Sequence, residues 1–539
     1  MTRLLQPEPT TTGPEPAVTA DPPTSDGPVP APSDEIEPSL RPILKKDFGY
    51  EQARHLLWRA GFGGSEQQIR LLASWGPEKA VDYLLNVDKV SYPWPEPDAF
   101  DKNIMHPPTA EEREMYRRAQ RAQDEDTLAE LRAERQRREQ EDRRQMRDLQ
   151  KWWLKRMIET PRPLEEKMTL FWHGLLATNY RTIENSYHMF QQNQLYRKHA
   201  LGSYADLLKG LIRDPAMLAY LNNNQSKKEK PNENLAREIM ELFSLGVGNY
   251  TEHDIKEGAR ALTGYTFEDD GFVFEKKNHD NGVKSILSNT GAFDGDDFVK
   301  IILAQSACPK YITRKLYSFF VADVPPDERG GDKELPPAQR QVLRQLASSF
   351  GQSGYQIKPL LRKLFLSQHF YEARFLNDQI KSPVMVAVGA VRSLNAPVRD
   401  LTILADALDL MGQNVFYPPS VKGWDGGRSW INTSTLFVRQ NTLAFLLTGK
   451  KPQGYDSSAD TQKYDVTKLL DNADGDSLIA KGDVEAVADA IQRLTLGWSP
   501  KAGRDALIEF AKSNGGKLDD RVLMGMLLLV TAMPEYQLC

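Results

Sequence analysis

The sequence predicts a mainly α-helical protein, with one large multi-helix domain and one small β-hairpin excursion. From Tyr50 onward, apolar residues recur at the three- and four-residue spacing of amphipathic helices. Only the segment between residues 266 and 298 is typical of a β-hairpin, with FVFE as one strand. No fixed-period repeat is visible, which argues against a solenoid. With 539 residues, 40% of them hydrophobic, the chain is long enough to bury a large core.

The N-terminal segment has a different composition from the rest. Eleven of the 34 prolines fall within the first 42 residues, where aromatic residues are absent. This composition predicts a disordered or polyproline-like tail over residues 1–45, followed by a single domain over residues 46–539. A proline-rich ligand for a partner is the alternative. The tail has no apolar core of a signal peptide, so the sequence alone favours the cytoplasm.

Charge and cysteine content exclude several classes of protein. The formal net charge is −5 and the pI about 6.0, which argues against nucleic-acid binding through bulk charge. The longest apolar run, residues 522–533, is too short to span a bilayer and predicts a buried helix. Two cysteines cannot form a disulfide scaffold or a cysteine-based zinc module.

The N-terminal part of the domain begins with two amphipathic helices joined by a glycine-rich turn at 61–64, with Ser65 as the second N-cap. Residues 111–150 then carry eleven Arg and twelve Asp or Glu, interleaved, and this pattern predicts a long exposed charged helix. A coiled-coil partner surface is the alternative for this segment. Further helices follow, and residues 450–482 are typical of a polar insertion before the last ones.

The sequence contains none of the strong catalytic motifs. It has no His-Glu-x-x-His, no Gly-x-Ser-x-Gly, no Walker loop and no dinucleotide-binding glycine fingerprint after a strand. Two acidic loops that resemble calcium loops fail in register, because the first and twelfth positions would not be ligands. Any site must therefore be sought in less familiar clusters of polar side chains.

The first such cluster lies in PNENLAREIMELFSLGVG, residues 231–248. Asn232 suits the N-cap of a helix and Gly246 its end. At 100° per residue, one face of this helix is apolar and the other is polar. The polar face comprises Asn234, Arg237, Glu238 and Glu241. A solvated helix face, with Arg237 and Glu241 paired at i,i+4, is one interpretation, and the lining of a site is the other.

As a site, this face has two chemical uses. Arg237 would keep one neighbouring carboxyl ionised, while the other of Glu238 and Glu241, if buried, would have a raised pKa and act as an acid. The two carboxylates would alternatively suit a divalent metal ion, with Asn and His side chains completing its shell. His173, in the apolar segment 165–180, is a third candidate group. A lone His in such a segment commonly packs in the core, but it would act as an acid or base if it faced this cluster.

The second cluster is KGWDGGRSWINTST, residues 422–435. Its glycines would let the backbone approach a ligand, and Trp424 and Trp430 offer flat apolar faces on which sugar rings stack. Lys422 and Asn432 would bind hydroxyl groups beside those faces. The alternative is that both tryptophans fill the core and the glycines only shape the turn. His279-Asp280 with Lys284 is a weaker third candidate.

The chain resembles the bacterial family called domain of unknown function 1800. The block NENLAREIMELFSLGVGNYTEHDIKEGARALTGYT carries the resemblance, and HLLWRAGFG, EKMTLFWHG, DPAMLAYL and MGQNVFYPPSVKGWDGGRSWINTST extend it over nearly everything from Phe48 to the C-terminus. The resemblance implies no agreed activity. Members are often exported and encoded beside alkaline-phosphatase-like or sulfatase-like proteins. It therefore implies an envelope context and an alkaline-phosphatase-like partner.

Two positions depart from the pattern of that family. Members commonly read Phe-Trp-His-x-His, whereas here His173 is followed by Gly174 and Leu175. Where members often have Asp after Ala-Met-Leu-x-x-Leu, this chain has Asn222. If those residues bind metal in relatives, two ligands are missing here. We retain Asn222 and Asn234 as candidates for binding substrate.

Two classes of function remain. The first is a hydrolase or lyase acting on a carbohydrate or envelope polymer, with Glu238 and Glu241 as acid–base or metal residues, Arg237 and His173 in support, and the Trp424 loop as the substrate platform. The second is a non-catalytic envelope or assembly protein that docks a partner through the charged helix at 111–150. Convergence of the 234–241 side chains with His173 and the 422–430 loop around one cavity would favour the enzyme, whereas their exposure to solvent, or burial without a cavity, would favour the second class.

Overall fold

The computed structural model describes residues 40–89, 100–325, 334–455, 460, 462–470 and 478–539. These residues form 22 α-helices and two small antiparallel sheets of two strands each, which confirms the predicted mainly α class. Within them, no helix combines the length and apolar character needed to cross a membrane. Residues 1–39, most of the predicted tail, lie outside the described part of the chain.

The first packed residues precede the predicted domain boundary at residue 46. Ile43 is buried, and its N–H donates to the carbonyl of Leu366 at 2.7 Å. Pro42 forms a bridge with Ser367. The segment 40–45 is therefore part of the domain, because it adds a short extended pairing and one apolar side chain to the core.

The N-terminal helices are α1 (Tyr50–Arg59), α2 (Glu66–Trp75), α3 (Pro77–Leu85), α4 (Ala110–Ala122) and α5 (Glu125–Glu159). Ser65 caps α2 as predicted, since its hydroxyl accepts from the Gln68 N–H at 3.3 Å while the Gln68 side chain accepts from the Ser65 N–H at 3.1 Å. The single charged helix predicted over 111–150 is wrong. The chain reverses at Gln123, whose φ is +52°, so that α4 lies against α5 as a helical hairpin. The second half of α5 then enters the core through Met146, Leu149 and Trp153.

The middle of the chain contains α6 (Pro163–Leu175), α7 (Tyr180–Ile183), α8 (Ser186–Lys198), α9 (Tyr204–Leu211), α10 (Pro215–Tyr220), α11 (Asn234–Glu238), α12 (Glu252–Ala261) and α13 (Gly295–Leu303). The first eleven residues of α6 are all buried, so this helix lies at the centre of the domain. The predicted FVFE strand is β2 (Gly271–Phe274), which pairs with β1 (Tyr265–Glu268). A second hairpin joins β3 (Lys284–Ile286) to β4 (Asn289–Gly291).

The C-terminal part contains α14 (Ala307–Phe320), α15 (Pro337–Gln352), α16 (Ile357–Leu366), α17 (Pro383–Ser393), α18 (Leu401–Leu410), α19 (Thr433–Thr448), α20 (Val484–Leu496), α21 (Lys501–Ser513) and α22 (Asp520–Thr531). Part of the predicted polar insertion at 450–482 lies within the described residues and contacts the core. Val466–Leu470 forms a 3₁₀ turn in which Val466, Leu469 and Leu470 are buried. The apolar side chains between its polar residues anchor it to the core.

Asp214 provides a test of the core electrostatics. Its carboxylate caps α10 by accepting from the Met217 N–H at 2.8 Å, and it also accepts from the Gln192 side chain at 2.6 Å. Burial without a cationic partner raises its pKa to about 7, above the ordinary 3.8. A raised folded-state pKa adds stability that is fully present below pH 4 and is lost as pH rises through 7.

We therefore expect Asp214→Asn to stabilise the protein at pH 8 by about 1–2 kcal/mol, because the amide keeps an acceptor for both bonds and carries no charge. Urea unfolding midpoints at pH 4.5 and pH 8 measure the effect. The gain should shrink towards zero at the lower pH. A gain that is equal at both values, or a loss at pH 8, would contradict this account.

Candidate functional site

The helix that carries the first polar cluster changes its winding in the middle. Its α-helical part begins at Asn234, with Glu233 and not the predicted Asn232 at the N-cap, and the Asn232 side chain accepts from the Asn234 N–H at 3.0 Å. The α-helix ends at Glu238, however, and Ile239–Ser244 forms a π-helical segment in which the Leu245 N–H donates to the Met240 carbonyl at 2.9 Å. Such segments are rare inside helices and are frequent at functional sites. The sequence predicted a regular α-helix here, and that prediction is wrong.

This winding changes the partners of the polar side chains. The predicted Arg237–Glu241 pair is absent among the described residues, because the π-helical segment no longer places residue 241 one α-helical turn after Arg237. Arg237 instead binds Glu252 with both terminal nitrogens, at 2.6 and 2.8 Å, and Glu233 at 3.2 Å. Glu241 accepts from the Tyr250 hydroxyl at 2.7 Å. Arg237 therefore ties the helix to α12 and leaves Glu241 to face another surface.

Glu241 faces a cleft of about 900 Å³, here called the Trp424 cleft. Its first wall is the π-helical segment and the turn after it, including Glu241, Leu245 and Gly246. Gly246 has a φ of +80°, and a methyl group there would lie 2.9 Å from the Tyr311 ring. Only glycine fits this combination of backbone conformation and close packing.

The second wall is one face of α14. The residues on it recur at helical spacing, and they are Ala307, Lys310, Tyr311, Arg314, Lys315 and Ser318. The opposite face, with Cys308, Ile312, Leu316 and Phe320, is buried in the core. The Tyr311 hydroxyl donates to the Leu242 carbonyl at 2.7 Å, which fastens α14 to the π-helical segment.

The third wall comes from the glycine-rich loop and the end of α6. Lys422, Trp424 and Asp425 line the cleft, together with Leu175. Gly423 packs so closely on α6 that a methyl group there would lie 2.0 Å from the Gly174 carbonyl oxygen. A methyl group on Gly174 would lie 3.6 Å from the Trp424 ring. The small residue that follows His173 therefore makes room for Trp424, whose side chain is half-buried at the cleft.

The structure brings some of the predicted site residues together and not others. Glu241, Lys422 and Trp424 line the same cleft. Glu238 lies on the preceding turn and is half-buried. Burial and the charge of Glu241 raise its pKa, while Arg237 and Lys422 act in the opposite direction. One residue of the first cluster, Glu241, therefore lies in the same cleft as Lys422 and Trp424 of the second.

His173 lies in the core behind the cleft. Its side chain is 1% exposed, and its Nε2 accepts the Phe416 backbone N–H at 2.9 Å. Burial lowers its pKa to about 3, so the imidazole is neutral at ordinary pH. Its ring contacts the Trp424 ring with centroids 5.5 Å apart. His173 therefore packs behind Trp424 instead of facing the two glutamates.

The remaining candidates are placed apart from the cleft. Trp430 is buried at 7% exposure and does not line the cleft. Asn234 and Asn222 are exposed and do not line the cleft. His279 contacts the Thr263 carbonyl, and Asp280 accepts from Arg260 of α12. The Asn and His side chains of the metal hypothesis thus do not converge on Glu238 and Glu241. Among the residues described, no group of three or more His, Cys, Asp or Glu could hold a metal ion.

The α14 wall was not predicted from the sequence. Its signal was present, because Lys310, Arg314 and Ser318 repeat every four residues opposite an apolar stripe. Nothing in the sequence indicated that this face would meet residues 241 and 422. A second hollow, of about 580 Å³, lies between α4 and α5 and includes none of the predicted site residues.

Comparison with protein-family models gives a match that spans these segments. A family model described as "Protein of unknown function (DUF1800)" matches residues 55–538, which include every wall of the Trp424 cleft. The chain matches no curated protein and no solved structure. The match covers nearly all of the folded domain, and the chain therefore belongs to this family of unknown function.

Proposed function

We propose that the protein is a hydrolase or lyase that acts on a carbohydrate or envelope polymer bound in the Trp424 cleft. One observation supports this above the others: Glu241, from the π-helical segment, lines the same cleft as Lys422 and Trp424, from the glycine-rich loop. A half-buried tryptophan beside carboxylates is a common arrangement for holding a sugar ring at reacting groups. The cleft volume of about 900 Å³ suits a short stretch of a sugar chain.

In this proposal Glu238 is the general acid and Glu241 the general base. The raised pKa of Glu238 keeps its proton available for the leaving glycosidic oxygen. In hydrolysis, Glu241 takes a proton from the attacking water as the C–O bond to the leaving sugar breaks. In a lyase reaction, Glu241 instead takes a carbon-bound proton, and the same C–O bond breaks by elimination. The Tyr250 hydroxyl orients the Glu241 carboxylate in both cases.

The other predicted residues have supporting roles in this proposal. Arg237 is a positioning residue, because its two bonds to Glu252 hold the helix that carries both glutamates. His173 supports Trp424 from behind through ring contact. Asn222 and Asn234 have no part in the proposed chemistry. In this proposal the reacting groups are the carboxylates of Glu238 and Glu241, and Trp424 is the aromatic platform.

We expect Glu238→Gln and Glu241→Gln each to lower turnover about 10²- to 10⁴-fold while leaving the fold intact. The assay measures reducing ends and unsaturated sugar ends released from a panel of polysaccharides and cell-wall polymers. Turnover should also fall as pH rises through the raised pKa of Glu238, since the acid is then deprotonated. Glu509→Gln, on the exposed face of α21, is the matched control and should keep full activity.

A substrate cleaved equally well by both glutamine variants would remove Glu238 and Glu241 from the mechanism. Circular dichroism and the thermal midpoint of each variant show whether a loss of turnover has a structural cause.

The helical hairpin of α4 and α5 favours a second candidate, a non-catalytic protein that works with a partner. Met115 and Tyr116 are each about half exposed on α4. Met115 also lines the hollow of about 580 Å³ between the two helices. We propose the alkaline-phosphatase-like protein implied by the family resemblance as this partner. Deletion of residues 110–124 should then abolish co-purification of the two proteins.

A further inference from the structure

The Trp424 cleft carries an excess of positive charge. Its lining includes four cationic side chains, Lys310, Arg314, Lys315 and Lys422, and two acidic ones, Glu241 and Asp425. This sign is opposite to that of the whole chain, whose formal net charge is −5. A concave surface concentrates the field of such charges and attracts ligands of opposite sign. The excess is therefore local to the cleft.

Two of these cations are available to a ligand. The ammonium groups of Lys310 and Lys422 are on exposed residues, and neither forms an ion pair or hydrogen bond with any side chain in the described ranges. By contrast, Arg314 donates to the Pro325 carbonyl, and Lys315 lies over the Tyr311 ring at 5.3 Å. Lys310 projects from α14 and Lys422 from the glycine-rich loop, so the two stand on different walls of the cleft.

The two glutamates, Glu238 and Glu241, already interact with neighbouring groups. Glu241 is held by Tyr250, and its neighbour Glu238 lies within the field of Lys422. A ligand must therefore place its anionic groups near the two lysines and a neutral portion beside Glu241 and Trp424. A sugar chain whose rings carry acidic groups at intervals meets both demands, because ring faces are apolar and their substituents are charged.

We propose that the cleft binds an anionic sugar chain, with its acidic substituents at Lys310 and Lys422 and a ring against Trp424. This inference rests on the proposed function for the identity of the ligand as a carbohydrate, and it adds the substrate class. The acidic substituent is a carboxylate or a sulfate ester, which share a negative charge and acceptor oxygens. A nucleic acid fits less well, because its regularly spaced phosphates would also meet Glu241 and Asp425.

The test is binding of defined probes to the full chain, measured by calorimetry at low salt. Trigalacturonate is compared with its methyl ester, which has the same rings without the charges. Maltotriose is compared before and after chemical sulfation, and oligothymidylate represents nucleic acid. We expect at least one acidic sugar to bind at least tenfold more tightly than its uncharged counterpart. The acidic sugar that binds more tightly identifies the acidic substituent.

Substitution of the lysines tests whether the acidic substituents bind at Lys310 and Lys422. Lys310→Gln and Lys422→Gln should each weaken the acidic probe about three- to tenfold, as expected for exposed ion pairs, and the double variant more. Lys512→Gln, at an exposed position of α21, is the matched control and should bind the acidic probe like the parent. Raising the salt concentration should weaken the parent more than the double variant.

Failure of this inference is distinguishable from failure of the proposed function. Equal binding of charged and uncharged sugars, unchanged affinity in both lysine variants, or tighter lysine-dependent binding of oligothymidylate would overturn the anionic-sugar inference. Cleavage of a neutral polymer that depends on Glu238 and Glu241 would then leave the proposed enzyme standing. Lysine-dependent binding of an acidic sugar, without any turnover that depends on those glutamates, would support the inference and remove the enzyme.

Discussion

Replacing Glu166 by Gln is expected to lower the free energy of unfolding by about 3–5 kcal/mol. Glu166 is fully buried in α6, and its carboxylate binds two arginines. Arg197 donates to both of its oxygens, at 2.8 and 3.0 Å, Arg156 donates to one, and the Trp153 indole donates at 2.9 Å. The amide would leave the buried Arg197 guanidinium without this counter-charge and Arg156 with Glu165 at 3.4 Å, which is the costly way to break such a network.

The pH dependence of this contribution has a definite sign. The neighbouring arginines outweigh the effect of burial and lower the pKa of Glu166 to about 2, from the ordinary 4.5. A lowered folded-state pKa adds stability that is present above pH 4.5 and lost as pH falls towards 2. Urea midpoints of the parent and Glu166→Gln should therefore differ most above pH 5 and converge in acid.

The adjacent glutamate is the matched control for this experiment. Glu165 reaches Arg156 and Arg162 only at 3.4 Å each, and burial raises its pKa instead of lowering it. Glu165→Gln should therefore cost much less than Glu166→Gln. Equal losses for the two variants would show that the stability comes from α6 packing in general and not from the Glu166 network.

Gly423→Ala is expected to disrupt the Trp424 cleft. The new methyl group would lie 2.0 Å from the Gly174 carbonyl oxygen, and φ at this position is +79°. Moving the backbone of α6 costs free energy, and so does holding an alanine in a left-handed conformation. We therefore expect either a loss of about 2–5 kcal/mol in the free energy of unfolding or displacement of the loop. Displacement would move Trp424 away from His173, and we expect the near-ultraviolet circular dichroism and any polymer-cleaving activity to fall together.

Gly248→Ala separates the effect of the close contact with α6 from the effect of the left-handed backbone conformation. Gly248 has a similar φ of +86°, but a methyl group there meets nothing within 4 Å. Gly248→Ala should therefore lower the free energy of unfolding only by the backbone strain, about 1 kcal/mol, and should leave the near-ultraviolet circular dichroism of Trp424 unchanged. If Gly423→Ala behaved like Gly248→Ala, the close contact between the loop and α6 would not be what holds Trp424 in place.

Much of the local structure could be predicted from short sequence patterns. The amphipathic spacing after Tyr50 predicted helices, Ser65 predicted a cap, and FVFE predicted a strand, because each signal depends on residues within a few positions of one another. The same reasoning failed at residues 239–244. The apolar and polar residues there suit an α-helix, and the π-helical winding depends on packing against Tyr311 and α14, which are distant in sequence.

The charged segment at 111–150 shows a second limit. Its charge pattern predicts helix correctly, but the reversal at Gln123 has no glycine or proline to mark it. A non-glycine residue with positive φ is uncommon, and here the contact between α4 and α5 compensates for it. His173 is the opposite case, since an apolar helix with one His already favoured the buried position that the structure shows.

Short-range patterns were sufficient to predict the helical class, the family, and the two segments from which Glu241 and Trp424 come. Periodicity, capping and motif identity are local properties, and a single chain displays them directly. That these segments share a cleft, that Lys310 on α14 also lines it, and that Arg237 binds Glu252 follow from long-range packing. Those relations depend on contacts between residues tens to hundreds of positions apart. Local sequence patterns do not distinguish among the possible side-chain partners, and the close packing of the folded chain determines which of them meet.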